Sequence, residues 1–256
     1  MTSTVSLEGI KKAVFFPFRG KKWGIKVLIG SALMFGNAII PIVLAIPLFG
    51  YFSRIMQRII VQDEDPELPE WQDWGALFTD GFKLGGAVLI FLLPAFILMV
   101  GGYLLFLLLD FSLVASSAAL AHGSSNPFPP SMVVSMVGMF GGLGVAMLGI
   151  VLMYITLIFV PPALGNLIAK NEFKAAFRFR EWWPVFRANL SGYVVALALA
   201  LGLFTLMYIL AFALYATVVL CFLLPFAFCF IFFVFGTVSF SLFAIAYRDG
   251  ARKLAA

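Results

Sequence analysis

Few residues in this 256-residue chain could carry chemistry. Its one histidine, His122, lies in HGSSNPFPPS and reads as a loop residue, so no histidine pair is available to ligate a haem or build a zinc site. Asp63, Asp65 and Glu67 alternate as the ligands of a calcium loop do. That loop, however, needs glycine at its sixth position and glutamate at its twelfth, where this chain has Leu68 and Trp74. Cys221 and Cys229 sit inside one apolar run and read as small buried hydrophobes, not as a disulfide or a metal pair. No Walker loop, HExxH or GxSxG is present. Pumps and proton-coupled transporters carry ionisable groups deep in their apolar runs. Here Lys26 and Lys83 stand at run entries and Asp110 at an exit. Asn37 is the most central polar side chain, beside Pro41, and is expected to satisfy backbone groups freed by a helix break rather than to face a substrate. The reading is of a protein that is not an enzyme, with no cofactor, no metal and no nucleic-acid partner.

The elements around these residues belong to a membrane. The chain is 63% hydrophobic and 11% charged, and its mean hydropathy of +1.07 exceeds what a solvated domain carries. Apolar runs cover residues 25–51, 82–109, 132–164 and 190–246, each longer than the roughly 20 residues a spanning helix needs. Their backbone must be helical, because lipid offers it no hydrogen bonds. The last run would make a rod of about 85 Å at 1.5 Å per residue, so it must fold back, and a break is expected between residues 215 and 225. The first run starts too late and runs too long for a cleavable signal peptide. The fold class is all-α: a polytopic bundle of five to six membrane helices with interfacial amphipathic helices, forming a single membrane domain over 1–256.

Lysines and arginines orient it. Residues 1–26 carry six, 51–83 three, 110–131 none, 161–189 five and 247–256 three. The positive-inside rule then puts 110–131 outside, and both termini and both charged loops in the cytoplasm. Residues 25–51 would have both flanks on one side, and Gly36, Asn37 and Pro41 interrupt the run. A hairpin with limbs 23–35 and 41–60 resolves this, with Arg54 and Arg58 snorkelling to the surface. A single kinked crossing with the acidic loop outside is the alternative.

The stretch DEDPELPEWQDWGALFTDGFK, residues 63–83, holds seven of the chain's twelve acids. Read as a helix, 69–82 presents Trp71, Trp74, Leu77, Phe78 and Phe82 on one face, as a surface helix feeding the next apolar run. Leads ending at Trp23 and at Trp182 and Trp183 repeat the pattern. The chain thus divides into three units of surface helix plus hairpin, 7–62, 66–165 and 171–247, in which Trp23, Trp71, Trp74, Trp182 and Trp183 are interfacial anchors. Anchoring does not require Asp63, Glu64, Asp65 and Glu67, which anionic headgroups would disfavour. These four form a candidate docking site for a partner, unless the chain's own Lys11, Lys12, Lys21, Arg178 or Arg180 offset them. Gly138, Gly142 and Ala146, and also Ala198 with Gly202, repeat a small-xxx-small pattern that lets helices pack closely.

FPFRGKKWGIKVLIG, FGYFSRIMQRI and LPEWQDWGALFTDGFK, followed by NEFKAAFRF and AYRDG, resemble a family of uncharacterised prokaryotic integral membrane proteins, a domain of unknown function. The block LPEWxDWGxLFxxGxK is the specific part. The resemblance implies a bacterial or archaeal membrane protein and brings no activity with it. The expected function is a non-catalytic inner-membrane scaffold or accessory subunit that engages a protein or lipid partner through cytoplasmic loops and interfacial helices, with membrane lipids and a protein in the membrane or at its cytoplasmic face as the expected partners. A transporter or channel for a neutral or lipid-like substrate is the alternative.

Overall fold

The structure, a computed structural model, describes residues 12–121, 130–216 and 223–255, and among these it is helical with no strand. His122, Cys221, Leu7 and Ile10 lie outside the described residues, as does most of the expected break in the last run. A short 3-10 turn, Phe16–Phe18, leads into α1 (Trp23–Ile39) and α2 (Ala45–Ile60). Then come α3 (Trp74–Ala121) and α4 (Pro130–Lys170), a second 3-10 turn at Phe173–Phe177, α5 (Phe179–Ala188), α6 (Leu190–Ala216) and α7 (Leu224–Ala255). Four of these, α3, α4, α6 and α7, are long and apolar enough to cross a membrane, whereas α1 has 17 residues, the lower limit for a span.

The described residues up to Val88 and from Val160 form one compact unit, and Leu89–Phe159 forms a second. In the first unit α1 and α2 double back as a hairpin. Lys26 in the first turn of α1 and Arg54 and Arg58 near the end of α2 all reach residues 64–73. The tip follows from sequence: Pro41 cannot continue α1, and Ile42 adopts φ 73°, an uncommon conformation for a β-branched residue. Around the hairpin, α7 is the central helix, packed against α1, α2, α5 and α6. Its Phe233 is fully buried, lies against Tyr51 with ring centroids 5.6 Å apart, and occupies the space a side chain at Gly30 would fill. Phe52 stacks on Phe240 at 4.8 Å. Where α2 crosses α3, a Cβ at Gly50 would fall on the Leu77 carbonyl and one at Gly81 on the Ile46 carbonyl.

In the second unit α3 and α4 meet backbone to backbone. A Cβ on Gly142 would lie 2.7 Å from Phe106 N and 2.9 Å from Gly102 O. One on Gly149 would lie 2.5 Å from Met99 N, and one on Gly138 2.5 Å from a Leu109 methyl. Ala146 is buried against Gly102. The partner of the 138/142/146 stripe is therefore a helix of the same chain. Higher up, the hydroxyls of Ser112 and Ser135 share a hydrogen bond of 2.7 Å, which satisfies two polar groups among large aliphatic side chains.

Two expectations are corrected. The helix expected over 69–82 begins at Trp74 and forms the first turns of α3, not a separate surface helix. Asp73 sets this start: at φ 54° its Oδ1 accepts from Ala76 N, an N-cap bond, and residues 63–73 before it form no helix. The Ala198 and Gly202 pair does not mark a crossing among the described residues, since nothing lies within 4 Å of a Cβ built on Gly202 and both residues are exposed in this chain. α6 instead turns Tyr193, Ala196, Ala200 and Ala211 inward.

Candidate functional site

Residues 63–73 form a strap whose main chain is held from below. Leu68 is 1% exposed, and its carbonyl accepts from Lys26 Nζ at 2.8 Å. The Pro69 carbonyl accepts from the Tyr51 hydroxyl at 3.0 Å. Arg54 donates to the carbonyls of Gln72 and Asp73 at 2.7 and 3.1 Å. Trp71 stacks on Tyr51 with centroids 4.1 Å apart and donates its Nε1–H to the Lys26 carbonyl at 2.9 Å. The two prolines remove donors that an irregular segment would otherwise have to satisfy, and the buried donors beneath supply what its carbonyls need.

The strap's carboxylates point outward and meet cations from distant parts of the chain. Asp63 pairs with Arg252 and, at 3.5 Å, with Arg248 of α7. Arg58 holds both Glu64 and Glu67 at 3.0 Å, while Lys12 reaches Asp65 at 3.4 Å. Glu70 pairs with the nearly buried Lys26 at 2.8 Å. Of the counter-charges expected from sequence, Lys12 takes part, and Arg178 instead pairs with Glu172 and Glu181. Sequence reasoning missed Arg248 and Arg252, because nothing local brings positions 189 apart together. Between the strap and the N-terminal turn lies a cleft of about 400 Å³.

A second polar group gathers where α4, α5, α6 and α7 meet. Asn166, 2% exposed, donates to the Ala175 carbonyl at 2.8 Å and to Glu181 at 3.1 Å, and accepts from the Tyr247 hydroxyl at 3.2 Å. Asn189 donates to the Ala246 carbonyl and accepts from Lys253 at 2.7 Å. Lys170, 2.8 Å away, and Asn166 hold the Glu181 carboxyl below its usual range. Every Asn166 contact is structural, tying the end of α4 to α5 and α7. The available signal was an asparagine at the polar end of an apolar run.

The tryptophans divide. Trp23 and Trp74 are substantially exposed, whereas Trp182 is buried and donates to the Ala176 carbonyl at 3.0 Å. Trp183 and Trp71 are half-buried. In both Trp71 and Trp182 the indole N–H is satisfied by protein. Asn37 lies in the last turn of α1, and its Oδ1 is shielded with no partner among the described residues.

Residues 33–216 match a family described as Protein of unknown function (DUF4013). No curated protein and no solved structure matches the chain. The match spans more than half of the sequence, and the chain belongs to this family.

Proposed function

We propose that this member of the DUF4013 family is a non-catalytic scaffold or accessory subunit of a prokaryotic cytoplasmic membrane, and that its strap is the surface that engages a partner. The observation that carries the reading is a fixed backbone with loosely held charges. The strap's carbonyls are tied to the buried Lys26 and Tyr51 and the partly exposed Arg54, while Asp63, Glu64, Asp65 and Glu67 are each at least half exposed. Exposed ion pairs contribute only about 0 to 1 kcal/mol each, so a partner's basic groups can replace the internal ones at small cost. The ordering that usually opposes association has already been met in folding.

Both termini, the strap and residues 171–189 belong on the cytoplasmic side in this reading. Its support is the basic-residue distribution, together with the strap's ties to the ends of α2 and α7. The test is a pull-down from native membranes with Asp63→Asn, Glu64→Gln, Asp65→Asn and Glu67→Gln combined. A specific co-purifying protein should be lost while insertion stays normal. Full retention of every co-purifying protein would sink the proposal.

A further inference from the structure

Among the described residues, the cleft beside the strap is lined by three cations, Lys12, Arg19 and Arg58, and three carboxylates, Glu64, Asp65 and Glu67. At about 400 Å³ it falls in the size range of small-molecule sites. Its charges are unevenly used. Arg58 is shared between Glu64 and Glu67, Lys12 reaches Asp65 only at 3.4 Å, and Arg19 has no carboxylate partner among the described residues. A simple anion would face three carboxylates, and a simple cation would face three basic groups. A ligand with both poles on a short bridge can satisfy both sets at once.

The chemistry narrows the ligand further. Guanidinium groups suit phosphate oxygens, which they meet with paired N–H donors. Carboxylates accept hydrogen bonds, so the positive pole should carry N–H, as a primary ammonium does with its three donors. A quaternary ammonium has none to offer. The setting points to a bilayer source. Phe18 and Trp23, which flank the lining residues Arg19 and Gly20 in sequence, pack edge to face at 5.4 Å, both partly exposed, in the manner of headgroup-level aromatics. Ile25 and Leu28, more than half exposed, continue along α1 as a surface for an acyl chain.

We infer that this cleft binds the phosphoethanolamine headgroup of a membrane lipid, with Arg19 and Lys12 on the phosphate and Asp65 and Glu67 on the ammonium. The inference rests on the chain lying in a bilayer and not on the docking of a protein. The full-length protein would be placed in nanodiscs of equal parts phosphatidylethanolamine, phosphatidylcholine and phosphatidylglycerol, and the lipids retained on gentle release would be identified by native mass spectrometry. Phosphatidylethanolamine should be the lipid retained. Arg19→Gln should cut its retention about ten-fold, the loss expected for one charged hydrogen-bonding group, and Arg180→Gln, a surface change elsewhere, should leave it unchanged.

Asp65→Asn with Glu67→Gln should shift the preference to phosphatidylglycerol, a reversal that loss of folding would not give. Soluble phosphoethanolamine should not displace the lipid. The inference is overturned if phosphatidylethanolamine is not enriched, if Arg19→Gln retains it fully, if the double variant keeps the wild-type preference, or if the soluble compound displaces it. Asp65 and Glu67 belong to the quartet tested by pull-down, but Arg19 does not and the nanodiscs hold no second protein, so loss of lipid with Arg19→Gln and loss of a protein partner can fail separately.

Discussion

Between residues 89 and 159 the helices meet through glycine, and Phe106 N would sit 2.7 Å from any Cβ placed on Gly142. The unit that contains Phe233 also has such a glycine crossing, at Gly50 and Gly81, but around α7 its contacts are ring on ring, with Tyr51, Trp71 and Phe52 around a phenylalanine that has no exposed surface. Lipid tails are as apolar as leucine, so neither arrangement gains much by hiding hydrocarbon from water. The first gains close van der Waals contact between main chains. The second gains interlocked side chains, and closes its polar end with hydrogen bonds and ion pairs. Two solutions to helix association in one chain imply two different sensitivities to substitution.

Phe233→Ala should have the largest effect, since it empties the ring cluster. A loss of about 3 to 5 kcal/mol is expected, read as a drop in the thermal midpoint in detergent followed by tryptophan emission. An unchanged midpoint would show that the rings do not hold this unit together. Gly142→Leu should cost about 1 to 3 kcal/mol or more by forcing the two backbones apart. Val151→Leu, on an exposed position of the same helix, should cost almost nothing, and equal detergent stability of the two would remove the distinction between the units. Lys26→Met leaves the Leu68 carbonyl without its donor and should cost about 1 to 3 kcal/mol. Faster proteolysis within residues 63–73 is the corresponding readout, and a cleavage rate equal to wild type would mean that the strap is not pinned there.

Smaller effects are expected at the charged rim. Asp63→Asn should change stability by about 0 to 1 kcal/mol, with the difference shrinking as salt is raised. A loss that persists in high salt would show a buried role for this pair. Glu181 tests the polar group around Asn166. Its folded carboxyl is held below the usual range, chiefly by Lys170 and then by Asn166. Its contribution is therefore complete above the ordinary glutamate value of about 4.3 and is lost as pH falls through the lower, folded value. Glu181→Gln should flatten that acid limb, and an identical pH profile would show that the carboxylate does not contribute.

The parts legible from sequence were those that depend on local pattern. Hydropathy located the apolar runs, Pro41 broke the first of them into a hairpin, and the spacing of Gly138, Gly142 and Ala146 marked a crossing. Gly50 and Gly81 make an equally tight approach; Gly81 and Gly85 show the same four-residue spacing, which sequence reasoning passed over, while Gly50 stands in no such pattern. The spacing of Ala198 and Gly202 meets the rule without marking a contact among the described residues, because spacing alone does not say which face of a helix is covered. The surface helix over 69–82 was misread for a similar reason. Its apolar period was real, but Tyr51, Lys26 and Arg54 hold 68–73 out of helical form from elsewhere in the chain. The partners of Asp63 were beyond reach, since an exposed carboxylate carries no sign of which arginine will meet it.

The tie between Asp63 and Arg252 also shows how far apart in synthesis the parts of the first unit are made. It joins positions 189 apart, while the serine pair between α3 and α4 joins positions 23 apart. A chain made from its N-terminus can close the glycine-packed pair as soon as α4 has emerged, at the modest entropic cost of a short loop. The ring cluster on the α1–α2 hairpin and the ion pairs of Asp63 must wait through the synthesis of everything between, because Phe233, Arg248 and Arg252 all arrive with α7. Until then its ring cluster is incomplete and its acidic strap lacks two of its cations. Chains halted after residue 216 should therefore expose residues 63–73 to protease while keeping the α3–α4 pair closed. Protection of the strap in such chains would show that α7 is not what completes it.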